Sequence, residues 1–454
     1  MRVEIGLDDT DSADGMCTTY IAHRLVERLL KTGAAEASDY PRLIRLNPNI
    51  PWKTRGNGAV TIPVRTRDPN TAFQEACRAV EEYSEAGRGA ADPGVVVSTL
   101  EQIPKDIKQF AEKALSEVVT RREAVRLMKK YNMQFRGWGT QRGLIGALAA
   151  IGSRLEEEDR TFELLAFRSQ ENWGVKKRKI DPISVREMSL KTHPRTFNSF
   201  DEEKERVMIT PRGPDPVLLG IRGEDPEALL EAYSIVKIGE AVDGHMIFKS
   251  NQGTGVHLKP ELNPAELKAY RAGHLKCTVS EKPWIERGGH AYFEAENGGH
   301  TVTCAAYEPT GGFRKTVLNL IPGDTVEIGG SIRKKSRKHG AAINLEYLRV
   351  LELAKDISIS NPLCRRCGRR MESQGRGQPF RCSACGFEDS SAEKIRAEQT
   401  RAVQKNLYLP PPRAQRHLTK PLQRYYQANN RKPMKLIDGW FKPTAIPPLK
   451  QAKT

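Results

Sequence analysis

Val3-Glu4-Ile5-Gly6-Leu7-Asp8-Asp9-Thr10-Asp11-Ser12 stands at the head of the chain. Val3, Ile5 and Leu7 alternate with other residues at the two-residue period of a strand that buries one face. The strand runs straight into three carboxylates within four positions. Thr18 or Thr19 then caps a helix whose Ala22, Leu25, Val26, Leu29 and Leu30 recur at helical spacing until Gly33 stops it. A polar loop between a strand's C-terminal end and a helix is where open sheets present function. Asp8, Asp9 and Asp11 are hard oxygen ligands suited to Mg²⁺, which implies a phosphate substrate. Thr18, at or beside a helix N-terminus, sits where backbone N–H groups favour anions. The plain alternative is a solvated Asp-rich turn with an ordinary cap. Repulsion among three neighbouring carboxylates favours the reading with a cation.

Outward from this stretch, helical patterns return at about 70–86 and 106–131, separated by a β-rich segment at Val95-Val96-Val97-Ser98. A Gly- and Ala-rich unit follows at 137–152, then a strand at Pro216–Arg222 and a helix from Pro226 to about Val236. These mixed signals predict an α+β or α/β class up to about residue 270. After residue 274 short strands dominate: 275–279, 290–295, 301–307, 322–332 and 343–350. Asn297-Gly298-Gly299 is a tight hairpin signal, and five strands of this spacing predict an OB-fold. A Pro-rich basic segment ends the chain, too poor in patterned apolar residues to fold alone.

At 454 residues the chain has room for about three domains or more. Its 38% hydrophobic content supplies real cores, so general disorder is excluded. No apolar run is long enough to span a bilayer, and the opening residues read as a strand and not as a signal peptide. Four of the eight cysteines fall into C-x-x-C pairs, which fits a reducing cytoplasm and a metal site better than a disulfide framework. The formal charge is +17, and residues 393–454 carry 14 Lys or Arg against 3 Asp or Glu. That excess predicts a polyanionic partner, with a merely solubilising tail as the alternative.

Cys364-x-x-Cys367 and Cys382-x-x-Cys385, 14 residues apart, offer four thiolates at the spacing of a structural Zn²⁺ ribbon. Four soft ligands close the coordination shell and leave no place for a reactive water. Redox C-x-x-C pairs are the alternative, but no βαβ pattern surrounds them. Arg333, Lys334, Lys335, Arg337 and Lys338 crowd one turn of the five-stranded region, accompanied by Trp284, Tyr292, Phe293, Tyr307 and Phe313. Cations that track a backbone beside rings that stack on bases predict single-strand RNA binding; strand aromatics buried in a core are the alternative. Gly143 and Gly146, beside Arg142, either admit phosphates close to the backbone or simply pack tightly. The turn Pro51–Val60, with Lys53 and Arg55, suits phosphate or carboxylate, or is only a turn.

These segments together resemble the archaeal tRNA 2-agmatinylcytidine synthetases. The resemblance is carried by Ile5–Ser12 with Gly15–Tyr20, Arg45–Gly58, Arg142–Gly152, Thr196–Asn198, Pro211–Val217, Gly220–Glu224 and Ser250–Thr254, and by the barrel and ribbon segments. It covers about residues 1–390 and leaves the basic tail outside. It implies an α+β multidomain protein: a kinase-like ATP-binding domain at 1–170, a ferredoxin-like domain at 171–272, an OB-fold at 273–355, a zinc ribbon at 356–392 and the tail at 393–454. It implies an ATP-dependent ligase that phosphorylates the C2 oxygen of the wobble cytidine of a minor isoleucine tRNA, after which agmatine's amine attacks C2. On this chain Asp8, Asp9 and Asp11 would hold Mg²⁺-ATP. Thr10, Ser12, Lys53, Arg55, Arg142, Gly143 and Gly146 would lie around the nucleotide, and Thr18 would be the phosphorylatable threonine. Asp215 or Glu224 would meet agmatine's guanidinium. Trp284, Phe293 and the basic turn would hold tRNA, and no obligate protein partner is expected. The rival readings are a non-catalytic single-strand-binding protein, which leaves the first 270 residues idle, and another ATP-dependent RNA kinase.

Overall fold

A computed structural model describes residues 1–84, 91–155, 158–335, 340–427 and 435–444. Its N-terminal part consists of β1 (Arg2–Asp8), α1 (Thr18–Thr32), β2 (Arg42–Arg45), β3 (Gly58–Arg65), α2 (Pro69–Tyr83), β4 (Gly94–Ser98), α3 (Lys105–Ser116), α4 (Arg121–Lys130), β5 (Gln134–Gly137) and α5 (Gly143–Gly152). The helical pattern at 106–131 is two helices. Thr120 and Glu123 form a reciprocal capping box that starts a new helix there. The N-cap of α1 is Cys17, so Thr18 is the first helical residue and its hydroxyl does not cap.

The next part contributes β6 (Thr161–Arg168), α6 (Pro182–Thr192), β7 (Val217–Gly223), α7 (Pro226–Ile235) and β8 (Val242–Ser250). Strand order runs β5-β4-β1-β3-β2-β8-β6-β7, within an 11-stranded sheet. The two halves join where β2 and β8 pair in parallel, Lys249 opposite Arg42 and Ser250 opposite Leu43. Val3, Ile5 and Leu7 of β1 pack with Ile21, Leu25 and Leu29 of α1 and with Ala76 and Val80 of α2. The opposite face is covered by α3, α4 and α5 through Ile107, Phe110, Leu127, Leu144 and Leu148. Burial on both faces explains why Glu4, 1% exposed in mid-strand, is held by Arg42 at 2.6 Å. Beyond the junction, α6 and α7 cover β6, β7 and β8 through Val185, Met188, Leu229 and Ala232.

The C-terminal third begins with a small barrel: β9 (Ala272–Val279), β10 (Ala291–Asn297), β11 (His300–Ala306), α8 (Gly312–Leu318), β12 (Thr325–Arg333) and β13 (Ala342–Glu352). The order is β9-β12-β13-β11-β10, and β10 pairs back to β9, so the sheet closes. Only β11 and β13 run parallel. A ribbon of three two-residue strands follows, whose buried centre is Cys364, Met371 and Cys382.

The described parts of the basic tail pack against the rest of the molecule. Leu407–Tyr408 pairs with β13, and Phe441–Lys442 pairs with β8. Arg424, 2% exposed, donates to Asp159 Oδ1 at 2.8 Å and to Glu224 Oε1 at 2.5 Å. Among the described residues no helix is long and apolar enough to cross a membrane.

Candidate active site at the junction of the sheet

A cavity of about 1070 Å³ opens where the two halves of the sheet meet. Asp8 reaches it from the end of β1, Asp9 and Asp11 from the following loop, and Thr18 from the start of α1. The turn before β3 brings Lys53 and Arg55, α5 brings Gly146 with Arg142 just ahead of it, and the segment before β7 brings Asp215. Residues more than 200 positions apart therefore share one chamber.

The three aspartates line this chamber without converging on one point. Asp9 Oδ2 lies 2.9 Å from Arg142 Nη2, and Asp11 Oδ2 lies 3.0 Å from Arg55 Nη2. Burial pushes the Asp8 carboxyl well above the usual carboxylate range, and the neighbouring Asp9 charge adds to it. Burial also raises Asp9, to about 6, with Arg142 pulling it back. Asp11 is raised by burial against the opposing pull of Arg55. Such a cluster gains from any cation that displaces or joins the two guanidiniums. Thr10 Oγ1 donates to Thr18 Oγ1 at 2.9 Å, both hydroxyls being buried. Ser12 is turned inward, where its Oγ accepts from the Asp14 N–H at 3.1 Å, while its carbonyl accepts from Arg55. Lys53 donates to the Ile50 carbonyl at 3.3 Å.

Several expected site residues have other roles. A Cβ on Gly143 would lie 2.4 Å from the Gly94 nitrogen and 2.6 Å from the Asp8 carbonyl oxygen, so this glycine seats α5 against two strands. Its N–H donates to Asp92 O, and those of Leu144 and Ile145 to Gln141 O and Arg142 O. The first turn of α5 therefore offers no open donors from these three residues to a phosphate. Gly146 does line the cavity, and it clears space for Asp8: a Cβ there would stand 2.0 Å from Asp8 Oδ2. Glu224 lies away from the cavity and is paired with Arg424. Asp215 does line it, with Arg178 at 3.5 Å; burial raises its carboxyl while Arg55 and Arg178 oppose the rise.

Phe293 is fully buried inside the barrel and cannot stack on a base; it points inward by strand alternation. Its neighbour Tyr292 points the other way and stacks on half-buried Trp284, with centroids 5.8 Å apart and planes at 18°. Arg333 donates to the Tyr307 hydroxyl at 3.1 Å, and Arg333, Lys334 and Lys335 are exposed. Arg337 and Lys338 lie outside the described residues.

The ribbon cysteines converge. Their Sγ atoms all lie within 4.8 Å of one another, with Cys364–Cys385 at 3.5 Å and Cys367–Cys382 at 3.4 Å. A tetrahedron of thiolates about 2.3 Å from a metal has edges of roughly 3.8 Å, so the donor set fits a four-coordinate ion. Backbone N–H donation, from Cys385 first, holds the Cys382 thiol down at about 6, which favours the thiolate.

Three family models match the chain: the TiaS TCKD domain at residues 4–68, the TiaS FLD domain at 141–257 and the TiaS C-terminal zinc ribbon domain at 361–403. TiaS of Cenarchaeum symbiosum, a 2-agmatinylcytidine synthetase acting on an isoleucine tRNA, is 42% identical over 423 residues, 93% of each chain. The chain belongs to the TiaS family. A solved complex of TiaS with its isoleucine tRNA and ATP is 40% identical, with a TM-score of 0.85 over 97% of this chain and 99% of its own. A complex of TiaS with the same tRNA, AMPCPP and agmatine is 38% identical, with a TM-score of 0.82 over 96% and 100%. The TiaS FLD match contains two cavity residues that sequence reasoning missed, Glu163 and Arg222, with Gln252 behind them donating to Glu163. Arg45 Nη2 lies 3.6 Å from Glu163 Oε2, and Arg222 Nε lies 3.2 Å from Glu163 Oε1. His417, from the tail, lies 2.8 Å from Arg222 and lines the same cavity. A single charge within a strand carries no period that would mark it in a lone sequence. His417 was hidden in a segment read only for its charge and its Pro-rich composition.

Proposed function

We propose that this chain joins agmatine to C2 of the wobble cytidine of the minor isoleucine tRNA at the expense of ATP. The observation that carries this reading is full-length likeness to TiaS proteins whose solved complexes hold that isoleucine tRNA, ATP or its analogue, and agmatine. The junction cavity supports it, being large enough for several reactants and carrying carboxylates, guanidiniums and a buried hydroxyl.

In this reading residues 1–170 form a kinase-like domain, 171–272 a ferredoxin-like domain, 273–355 an OB-fold and 356–392 a Zn²⁺ ribbon, with 393–454 as a basic Pro-rich tail. The closed β9-β12-β13-β11-β10 order, with a helix between β11 and β12, supports the OB assignment. ATP's terminal phosphoryl group passes to the cytidine C2 oxygen. The primary amine of agmatine attacks C2, the C2–O bond breaks, and phosphate leaves with the oxygen. A carbonyl-like oxygen is a poor leaving group and its phosphate ester a good one, so the site must chiefly position reactants and neutralise charge. Asp8, Asp9 and Asp11 supply hard oxygen donors that would hold Mg²⁺, whose chemistry is to neutralise the phosphate oxygens. Arg142 and Arg55, the present partners of Asp9 and Asp11, are then released toward phosphate. Thr18 is the phosphorylatable hydroxyl and Asp215 the carboxylate for agmatine's guanidinium. The Trp284–Tyr292 stack, Arg333, Lys334, Lys335 and the ribbon arginines track the tRNA.

The test is mass spectrometry of the minor isoleucine tRNA incubated with the full chain, ATP and agmatine. The wobble cytidine gains the mass of agmatine less one water. No gain, or a gain without ATP, overturns the reading.

A further inference from the structure

The cavity is lined by a second charged group besides the aspartates and their arginines. There, two guanidiniums, Arg45 and Arg222, turn onto the single carboxylate of Glu163, which is 3% exposed and also accepts from Gln252. One positive charge is left over at a partly buried wall of the cavity, an arrangement that favours an anion beside it. Arg45 Nε is also buried without a hydrogen-bond partner among the described residues.

The tail completes this wall with His417. Its Nδ1 lies 2.8 Å from Arg222 Nη2 and 3.1 Å from Gln252 Oε1. The guanidinium can only donate, and its contact is the shorter and charge-assisted one, so Nδ1 accepts and Nε2 carries the proton. Burial, with Arg45 and Arg222 adding to it, holds the imidazole neutral to well below its usual range. A Cβ on Gly56 would lie 2.7 Å from Arg45 Nη1 and 3.1 Å from His417 Nε2. Arg45 Nη1 and His417 Nε2, from opposite ends of the chain, therefore fill the space a side chain on Gly56 would take and meet at one point of the cavity wall.

We infer that this wall of the cavity is a phosphate-binding site, in which Arg45, Arg222 and His417 hold a phosphate of the substrate complex, from either the RNA backbone beside the target cytidine or ATP. The inference rests on the cavity being where ATP and tRNA meet. A guanidinium pair and an imidazole N–H supply several donors and an excess of positive charge for phosphate oxygens, whereas a cationic substrate such as agmatine would be repelled. The strap that delivers His417 is pinned independently of its ring: the Gly253 and Gly255 N–H groups donate to His417 O and Leu418 O at 2.9 and 2.8 Å, and Thr419 Oγ1 donates to Glu346 at 2.9 Å. Removing the ring leaves those anchors in place.

The experiment compares wild type with His417→Ala and Arg222→Gln, each as the full chain. The KM for tRNA and the KM for ATP are measured separately. A rise of about tenfold or more in the tRNA KM alone assigns the site to the RNA backbone, and the same rise in the ATP KM alone assigns it to ATP. Both constants within about twofold of wild type overturn the inference. A second measurement needs no turnover: inorganic phosphate raises the melting temperature of the wild type and not of the variants. Equal shifts in all three, or none in the wild type, overturn the inference whether or not the chain modifies tRNA. Wild type that binds phosphate at this wall but adds no mass to tRNA counts against the proposed function alone.

Discussion

A Cβ placed on Gly146 would stand 2.0 Å from Oδ2 of Asp8. No side chain can occupy that position unless the carboxylate moves, since Leu46 closes the other side at 3.0 Å. Gly146→Ala therefore displaces Asp8 while costing the fold only about 1–3 kcal/mol, the ordinary penalty of one inserted methyl group. The expected outcome is a loss of tRNA modification of about a hundredfold or more, with a melting temperature lowered by a few degrees. Mass spectrometry and a thermal melt check the two halves.

Asp8→Asn removes the charge and keeps the shape. Product formation should cease, while tRNA affinity in a filter-binding assay stays within about twofold of wild type, because phosphate-backbone contacts carry that affinity. Retained turnover would remove Asp8 from the proposed ATP chemistry.

Asp9 titrates near 6 in the folded protein, above its value of about 4 in an unfolded chain. An acid raised by folding binds more protons in the native state, so its contribution to stability falls as pH rises through that window and is flat above it. The effect is at most about 3 kcal/mol. Mg²⁺-ATP favours the ionised carboxylates. Its stabilisation, read as a melting-temperature shift, should thus be larger at pH 7.5 than at pH 5.

Reversing the charges of Arg333, Lys334 and Lys335 should weaken tRNA binding. It should also flatten the plot of log affinity against log salt by roughly 0.7–0.9 per lost phosphate contact. An unchanged slope would take this face of the barrel out of the interface.

Arg424→Ala should be among the most destabilising single changes in the tail. It takes from Glu224 and Asp159 the buried cation they share, at a cost of about 3–5 kcal/mol. Limited proteolysis should then cut between the barrel and the C-terminal strand pairing. A variant as resistant as wild type would show that the strap is held elsewhere.

Much of this protein was legible in its residues alone. The alternation of Val3, Ile5 and Leu7, the helical spacing of Leu25 and Leu29, the five short strands after residue 274 and the paired C-x-x-C motifs are local signals. Period, turn chemistry and ligand spacing are written within a few positions, and the ribbon's four thiols are found together as their spacing predicts. Asp8, Asp9, Asp11 and Thr18 stand beside such signals, and all four line the junction cavity. Phe293 and Gly143 were misread because a strand residue's face and a helix's close packing depend on what lies opposite, which sequence does not carry. The helical pattern read at 106–131 is divided, α3 ending at Ser116 and α4 starting from the capping box at Thr120.

Only the tertiary structure decided the rest. The parallel pairing of β2 with β8 fuses the two halves and so creates the cavity. It turned Glu224 away to a buried arginine of the tail, and it brought His417 beside Arg45 and Arg222. Composition could say that residues 393–454 are basic and unable to fold alone, because that follows from the balance of apolar area against chain entropy. Where such a segment lies depends on pairing with strands and acids hundreds of residues away. Those contacts have no local code, since their free energy exists only once the other elements are in place.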